Sequence, residues 1–211
     1  MKRIDFYFDF ISPYAYLASS RVEMIARRHG RVVSWRPFRL GVTVVKVMGL
    51  KPLMETPLKG EYIARDLERL ATVLSDQLSL SREFTDPIPP ARLFYAAPAE
   101  HSGELAKALL RSKWADGRDI GNAEVLVEVA KEVGLDEELA RRALADPATK
   151  ASLDAVTSEA IARGVFGSPT CAVRKELFWG VDRLWLLDQY LGAGERYEPL
   201  EPPVRFLMGF A

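Results

Sequence analysis

The sequence predicts an α/β protein in which a small sheet domain is interrupted by a block of helices. Three observations carry that reading. Apolar runs at 3–9 and 32–37 flank a helical pattern, giving β-α-β by Pro37. The long middle of the chain then shows only helical periodicity, and strand chemistry returns at 170–179 before a last helix. Strands separated by one all-helical block point to a sheet domain carrying a helical insertion.

Each element follows from its residues. The run Ile4-Asp5-Phe6-Tyr7-Phe8 reads as a buried strand. A helix to about His29 places Leu17, Val22, Ile25 and Ala26 on one face, with Gly30 as its stop. Val32-Val33-Ser34-Trp35-Arg36-Pro37 is the second strand, set parallel to the first by a right-handed crossover. Ile63, Leu67, Leu70, Leu74 and Leu78 predict an amphipathic helix over 61–78, about five turns long. The proline-rich Asp86-Pro87-Ile88-Pro89-Pro90 reads as a loop. Leu105, Leu109 and Trp114 mark the next helix, and Val125, Val129 and Val133 another, opened by Asn122 and closed by Gly134. Asp136 starts a short helix ending before Pro147, and Leu153, Val156, Ala160 and Ile161 mark one more. Thr170-Cys171-Ala172-Val173 and Leu177-Phe178-Trp179 flank a charged turn at Arg174-Lys175-Glu176 and predict a hairpin. The final helix is expected from about Asp182 to Tyr190. These elements give a discontinuous sheet domain at 1–37 and 165–195, a helical insertion at 38–164 and a tail at 196–211. The tail carries Phe206-Leu207-Met208-Gly209-Phe210, expected to pack on the body or on a second subunit.

Composition narrows the function classes. The 211 residues are 48% hydrophobic, enough for a substantial core. Lys plus Arg equals Asp plus Glu at 29 each, so no global charge draws the chain to nucleic acid or a membrane surface. The single Cys171 excludes an intramolecular disulfide and a cysteine-rich zinc site. Two histidines, His29 and His101, argue against a multi-histidine metal centre and read as exposed helix-end residues. Strand pattern from the first residues, with no signal-peptide or membrane-spanning pattern, predicts a soluble cytoplasmic protein. Cys171 reads as a small buried hydrophobe, and Trp35 and Trp179 as core.

The chemistry concentrates in Asp9-Phe10-Ile11-Ser12-Pro13-Tyr14-Ala15-Tyr16, where the first strand runs into the first helix. Such a junction presents unpaired N–H groups and the positive end of a helix dipole, a seat for an anion. Thioredoxin-like redox proteins place a Cys-x-x-Cys pair there. Here the four residues are Ser12-Pro13-Tyr14-Ala15, so a thioredoxin-like scaffold in this chain would lack disulfide chemistry and take its thiol from elsewhere. Taken locally, Ser12-Pro13 is also an ordinary N-cap followed by proline at the first helical position. Ser168-Pro169 is likewise a plain turn, and Asp182 a helix cap with Arg183 beside it.

Three segments change that balance. They are the run from Phe6 to Ala18 around Ser12, the run from Tyr62 to Ala71, and Val165-Phe166-Gly167-Ser168-Pro169-Thr170 followed by Leu177-Phe178-Trp179-Gly180-Val181-Asp182-Arg183-Leu184. In this order and spacing the chain resembles the 2-hydroxychromene-2-carboxylate isomerase family, kin of kappa-class glutathione transferases and DsbA-like proteins, over all but the tail. The resemblance implies a thioredoxin-like fold with an inserted all-helical domain, a homodimer, and glutathione or another low-molecular-weight thiol as cofactor, with no metal. It implies reversible isomerisation of 2-hydroxychromene-2-carboxylate to trans-o-hydroxybenzylidenepyruvate, a step in naphthalene breakdown, so the partner is a small aromatic electrophile.

By the same resemblance Ser12 donates a hydrogen bond to the cofactor sulfur. Pro169 is cis, and Ser168 pairs with the glutathione cysteinyl backbone as an added strand. The Val181 backbone and the Asp182 carboxylate receive the γ-glutamyl end. Lys46, Lys51 and Lys59 lie between the second strand and the long helix. Lys46 matches a position near the substrate carboxylate, Lys59 is assigned to the glycine carboxylate of glutathione, and Tyr14 to the substrate side. The family's Gly-Asn pair is here Gly49-Leu50, which removes a polar contact and leaves the substrate open. Two other functions fit the same residues: a kappa-like transferase or peroxidase, and a non-redox peptide-binding protein using the strand edge.

Overall fold

The computed structural model describes residues 2–80 and 85–199. Four strands form one mixed sheet in the order β2-β1-β3-β4: β1 (Arg3–Phe8), β2 (Val32–Pro37), β3 (Thr170–Val173) and β4 (Glu176–Trp179). β1 and β2 are parallel, with Arg3 opposite Val32 and Phe8 opposite Pro37. β3 runs antiparallel to β1, placing Tyr7 opposite Thr170, and β4 pairs antiparallel with β3. From Ile4 to Phe8 every residue of β1 is buried, as expected of an inner strand covered on both faces.

Alternation sorts the two faces. Ile4, Phe6 and Phe8 enter the main core with α1 (Pro13–Arg28) and with Leu184, Leu187 and Tyr190 of the last helix. Tyr7 and Ala172 face the other way, against Phe38, Val165 and Ala160 of the helix Pro147–Ala162. α2 (Lys59–Leu74) lays Ile63, Leu67 and Ala71 against Leu17 of α1. Between β2 and β3 the chain continues through α3 (Ile88–Ala96), α4 (Ser102–Trp114), α5 (Ala123–Glu132), α6 (Glu137–Ala145) and α7 (Pro147–Ala162), and α8 (Leu184–Gly192) closes the fold.

The caps explain most boundaries. Asn122, Asp136 and Asp146 each accept a hydrogen bond from a backbone N–H of the first turn of α5, α6 and α7. Four boundaries differ from the sequence expectation. α2 stops at Leu74, where Ser75 adopts a left-handed conformation, and Leu78 packs on the core from beyond the helix. The proline-rich stretch opens α3, because proline is compatible with a helix's first turn, where its N–H is not needed. The hairpin turn is Arg174-Lys175, and Glu176 already pairs with Val173. Asp182 lies in a short 3-10 turn, Val181–Arg183, that precedes α8, and it caps nothing with its side chain.

Two side-chain expectations also change. His29 is held 2.8 Å from Asp188 Oδ1 and is mostly buried. Trp179 is 47% exposed because β4 is an edge strand. Cys171 is buried, and burial pushes its thiol far above the ordinary range. Tyr197 packs on Tyr190 and donates to Glu176, while the apolar stretch of the tail at 206–210 lies outside the described residues. Among the described residues no helix is long and apolar enough to cross a membrane.

Candidate active site

Ser12 ends the loop from β1 and caps α1, with Pro13 at the first helical position. It is 5% exposed. Its Oγ accepts from the Ala15 N–H at 3.2 Å and donates to the Ser168 carbonyl at 3.0 Å. The sequence positions 12 and 168 are thus brought into direct contact. The Ser168–Pro169 peptide bond is cis, as the resemblance implies. Two donors at this centre, the Tyr14 N–H in the first turn of α1 and the Ser168 N–H, have no acceptor among the described residues. An anion at the N-terminus of a helix of this length gains from both the open N–H groups and the dipole.

Asp9 ties the Ser12 loop to its surroundings, by its buried carboxylate to Leu40 and by its backbone N–H to Ser168. Asp9 accepts from Leu40 N–H at 2.8 Å and Ile11 N–H at 3.1 Å, while its own N–H donates to Ser168 Oγ at 2.9 Å. The Ser12 N–H donates to the Asp9 carbonyl at 3.0 Å. Burial pushes the Asp9 carboxyl up to about 6, and its two backbone donors oppose that shift. Trp114 Nε1 donates to the Phe10 carbonyl at 2.9 Å and ties the same loop to α4. Asp9 stood in the motif with no role assigned. The signal was an acid between Phe8 and Phe10, since an Asp in an apolar run beside a turn serves local backbone donors.

The Ser168 side is set by glycines. A Cβ on Gly167 would sit 2.1 Å from the Trp179 indole nitrogen, so only glycine lets that ring, paired with Phe166, lie over the loop. Thr170 Oγ1 donates to the Gly167 carbonyl, and the Gly180 N–H to the Pro169 carbonyl. Gly180 has φ of 99°, which swings the chain into the turn that carries Val181 and Asp182. Val181 is half-buried; Asp182 is exposed and its Oδ2 pairs with Arg183 at 2.8 Å. The N–H groups of Val181 and Asp182 have no acceptor among the described residues.

The remaining candidates stand apart. Tyr14 donates its hydroxyl to Asp66 of α2 at 3.0 Å, and burial, then this bond, pushes that hydroxyl well above its usual range. Lys46 lies in a π-helical turn, Val42–Val47, and Lys59 is the first residue of α2. Both are exposed, and neither is hydrogen-bonded to the Ser12–Ser168 centre. Around them Val47, Met48, Leu50, Leu53 and Met54 leave about half of their surface uncovered. Among the described residues no group of three or more His, Cys, Asp or Glu could hold a metal ion.

A strand-to-helix junction facing a cis-proline loop, on a mixed sheet with an inserted helical block, defines a thioredoxin-fold protein. Comparison with known proteins bears this out: the family described as DSBA-like thioredoxin domain matches residues 3–192. A 2-hydroxychromene-2-carboxylate isomerase of Sphingobium xenophagum is 32% identical, over 90% of this chain and 98% of the relative. A glutathione S-transferase kappa 1 of Caenorhabditis elegans is 27% identical, over 90% of this chain and 91% of the relative. A solved structure of 2-hydroxychromene-2-carboxylate isomerase superposes with a TM-score of 0.84 at 25% identity, covering 99% of both chains. The chain therefore belongs to the DsbA-like thioredoxin family, within its 2-hydroxychromene-2-carboxylate isomerase branch.

Proposed function

We propose that the protein is a glutathione-dependent isomerase interconverting 2-hydroxychromene-2-carboxylate, or a related aromatic-degradation intermediate, with trans-o-hydroxybenzylidenepyruvate. The observation that carries this reading is the meeting of the Ser12 hydroxyl with the Ser168 carbonyl at the N-terminus of α1, 3.0 Å apart, in a turn that holds no cysteine. The activity named for the curated relatives supports the reaction, and kinship with kappa-class transferases supports glutathione.

When bound, glutathione supplies a thiolate that can add to a conjugated carbon and leave again once the bond has turned. The chain's own task is to favour that anion. A free thiol has a pKa of about 8.5, and bringing it to about 6.5 takes roughly 2.7 kcal/mol. The Ser12 hydroxyl, turned from the Ser168 carbonyl toward the sulfur, contributes roughly 1.5–3 kcal/mol as a donor to an anion. The Tyr14 N–H and the helix N-terminus add up to about 2 kcal/mol. Together these suffice without a general base, and among the described residues no histidine or lysine is hydrogen-bonded to Ser12.

The remaining groups fit the rest of the thiol. Ser168 offers an open N–H beside its carbonyl, the pair an added strand uses. The open N–H groups of Val181 and Asp182 suit the γ-glutamyl carboxylate, and the Asp182 carboxylate its ammonium. Lys59 is assigned to the glycine carboxylate, Lys46 to the substrate carboxylate, and the Tyr14 ring to the substrate side. Kinship supports a homodimer, and a glutathione cofactor suits the cytoplasm.

The test is to follow 2-hydroxychromene-2-carboxylate spectroscopically with protein and glutathione. Equilibration that needs both is expected. Conjugation of an aryl halide without chromene isomerisation would replace this reading with the transferase, which Leu50 in place of the family's asparagine favours. Peptide binding without thiol activation would replace it with a binding protein.

A further inference from the structure

From Gly41 to Leu58 only Thr43 is buried, and its hydroxyl has no partner among the described residues. The backbone there bonds to itself: the Met48 N–H donates to the Thr43 carbonyl at 3.0 Å and the Leu50 N–H to the Val44 carbonyl at 2.9 Å. A segment with so few buried contacts opens at low cost. Two bonds tie down its start. The Arg39 N–H donates to Thr157 Oγ1 of α7 at 3.1 Å, and the Leu40 N–H to Asp9 Oδ2 at 2.8 Å. Among the described residues the second is the one hydrogen bond from residues 40–58 to the Ser12 loop.

Asp9 is placed to serve both sides. Its Oδ1 accepts from the N–H of Ile11, the residue before Ser12, and its own N–H donates to Ser168 Oγ. Two backbone donors thus converge on two oxygens, which an ionised carboxylate alone can satisfy. An asparagine fills the same space with one acceptor, so its NH2 group confronts one of the two N–H groups. The charge is nonetheless disfavoured there: burial pushes the carboxyl up to about 6, against its two backbone donors. Of the charged groups facing it, Arg39, just past β2 and paired with Asp154 of α7, favours ionisation, while Asp86, before α3, opposes it. A charge kept in place against the preference of the fold points to a use.

We propose that the Asp9 carboxylate is a clasp that holds the 41–58 segment against the thiol site, closed when ionised and released when protonated. Asp9 is a positioning residue, and its bearing on activity rests on the isomerase reading, in which this segment is the substrate side. Once protonated, one oxygen becomes a donor and one of the two N–H groups loses its acceptor. The turn around Ile11 is still closed by the Ser12 N–H on the Asp9 carbonyl. The Leu40 tie has no such second support, so the segment is what comes free.

The test is amide hydrogen exchange of the whole protein, in wild type at pH 5 and 7.5 and in Asp9→Asn at pH 7.5. The Met48 and Leu50 amides should lose about ten-fold in protection in the variant, the order expected for one hydrogen bond. They should lose as much in wild type on going from pH 7.5 to 5. The amides of β1 should keep or gain protection in both cases, because removing the buried charge does not weaken the fold. A merely structural role would lower both sets together, and that result would overturn the proposal. Equal protection of Met48 and Leu50 in wild type and variant would overturn it as well. In activity, the KM for 2-hydroxychromene-2-carboxylate should rise about ten-fold in Asp9→Asn, with kcat and glutathione affinity within about two-fold. Weakened glutathione binding with an unchanged substrate KM would contradict the clasp. Complete absence of isomerisation in wild type would count against the isomerase reading alone, and the exchange result would still decide the clasp.

Discussion

The Ser12–Ser168 centre and the 45–58 segment are built on opposite principles. At the first, two loops distant in sequence are locked by the Asp9 N–H on Ser168 Oγ and the Ser12 hydroxyl on the Ser168 carbonyl, with the cis-proline turn and the Trp179 ring beside them. At the second, Val47, Met48, Leu50, Leu53 and Met54 stand half in solvent, and Lys46 forms no bond to the site. The difference teaches where the protein is committed. Under the proposed function, thiol activation would need donors fixed to fractions of an ångström, and this centre lies in the core. Substrate choice would then fall to the exposed side chains of the 45–58 segment.

That contrast can be broken first at Asp9. Its carboxyl stands at about 6 in the folded protein against 3.8 ordinarily, so the folded state binds the proton more tightly. The resulting stability is fully present below about pH 4 and is lost as pH rises through 6. At about 1.36 kcal/mol per unit the change amounts to about 3 kcal/mol. Denaturant titrations of wild type and Asp9→Asn should show the wild type losing ground to the variant by that order between pH 4 and 7.5. A difference that is flat in pH would mean that Asp9 is not held in a dry frame. Gly167→Ala comes next. Its methyl must displace the Trp179 indole, at an expected cost of about 1–3 kcal/mol, visible as a changed tryptophan emission and weakened thiol binding. If the variant is neutral on both counts, the loop is not fixed by that contact.

Tyr14→Phe sharpens the boundary between the two regions, because the lost hydroxyl is the link from α1 to Asp66 of α2. A loss of about 1 kcal/mol in melting experiments is expected, with the thiolate shift retained. Leu50→Asn should have the smallest effect on stability, within about 0.5 kcal/mol, since its side chain is half exposed. Its readout is selectivity: the ratio of chromene isomerisation to aryl-halide conjugation should move toward the isomerase. An unchanged ratio would take this segment out of substrate choice.

The same contrast governs what could be read from the sequence. Strand β2 is observed at 32–37 as expected, and Ser12, Asn122 and Asp136 cap their helices, because apolar periodicity and cap chemistry are local. α3 was missed because prolines at 89 and 90 read equally as a loop or as a first helical turn. The end of α2 was missed because a serine, not a glycine, takes the left-handed position. Ser12 and Ser168 are assigned to one thiol site only by resemblance, and their direct hydrogen bond comes from the structure, since nothing local to either predicts a contact across 156 positions. The tie from Asp9 to Ser168 is legible only once β1 and β3 are paired, and the Trp179–Gly167 contact only once β3 and β4 are.

On the proposed function, this chain lowers the pKa of a bound thiol through Ser12. Its most direct test is thiolate absorbance of bound glutathione against pH, in wild type and in Ser12→Ala. Ionisation at least one unit below that of free glutathione is expected, with the shift abolished in the variant while the fold is retained. Glutathione that binds without a shift, or a shift that survives in Ser12→Ala, would contradict it.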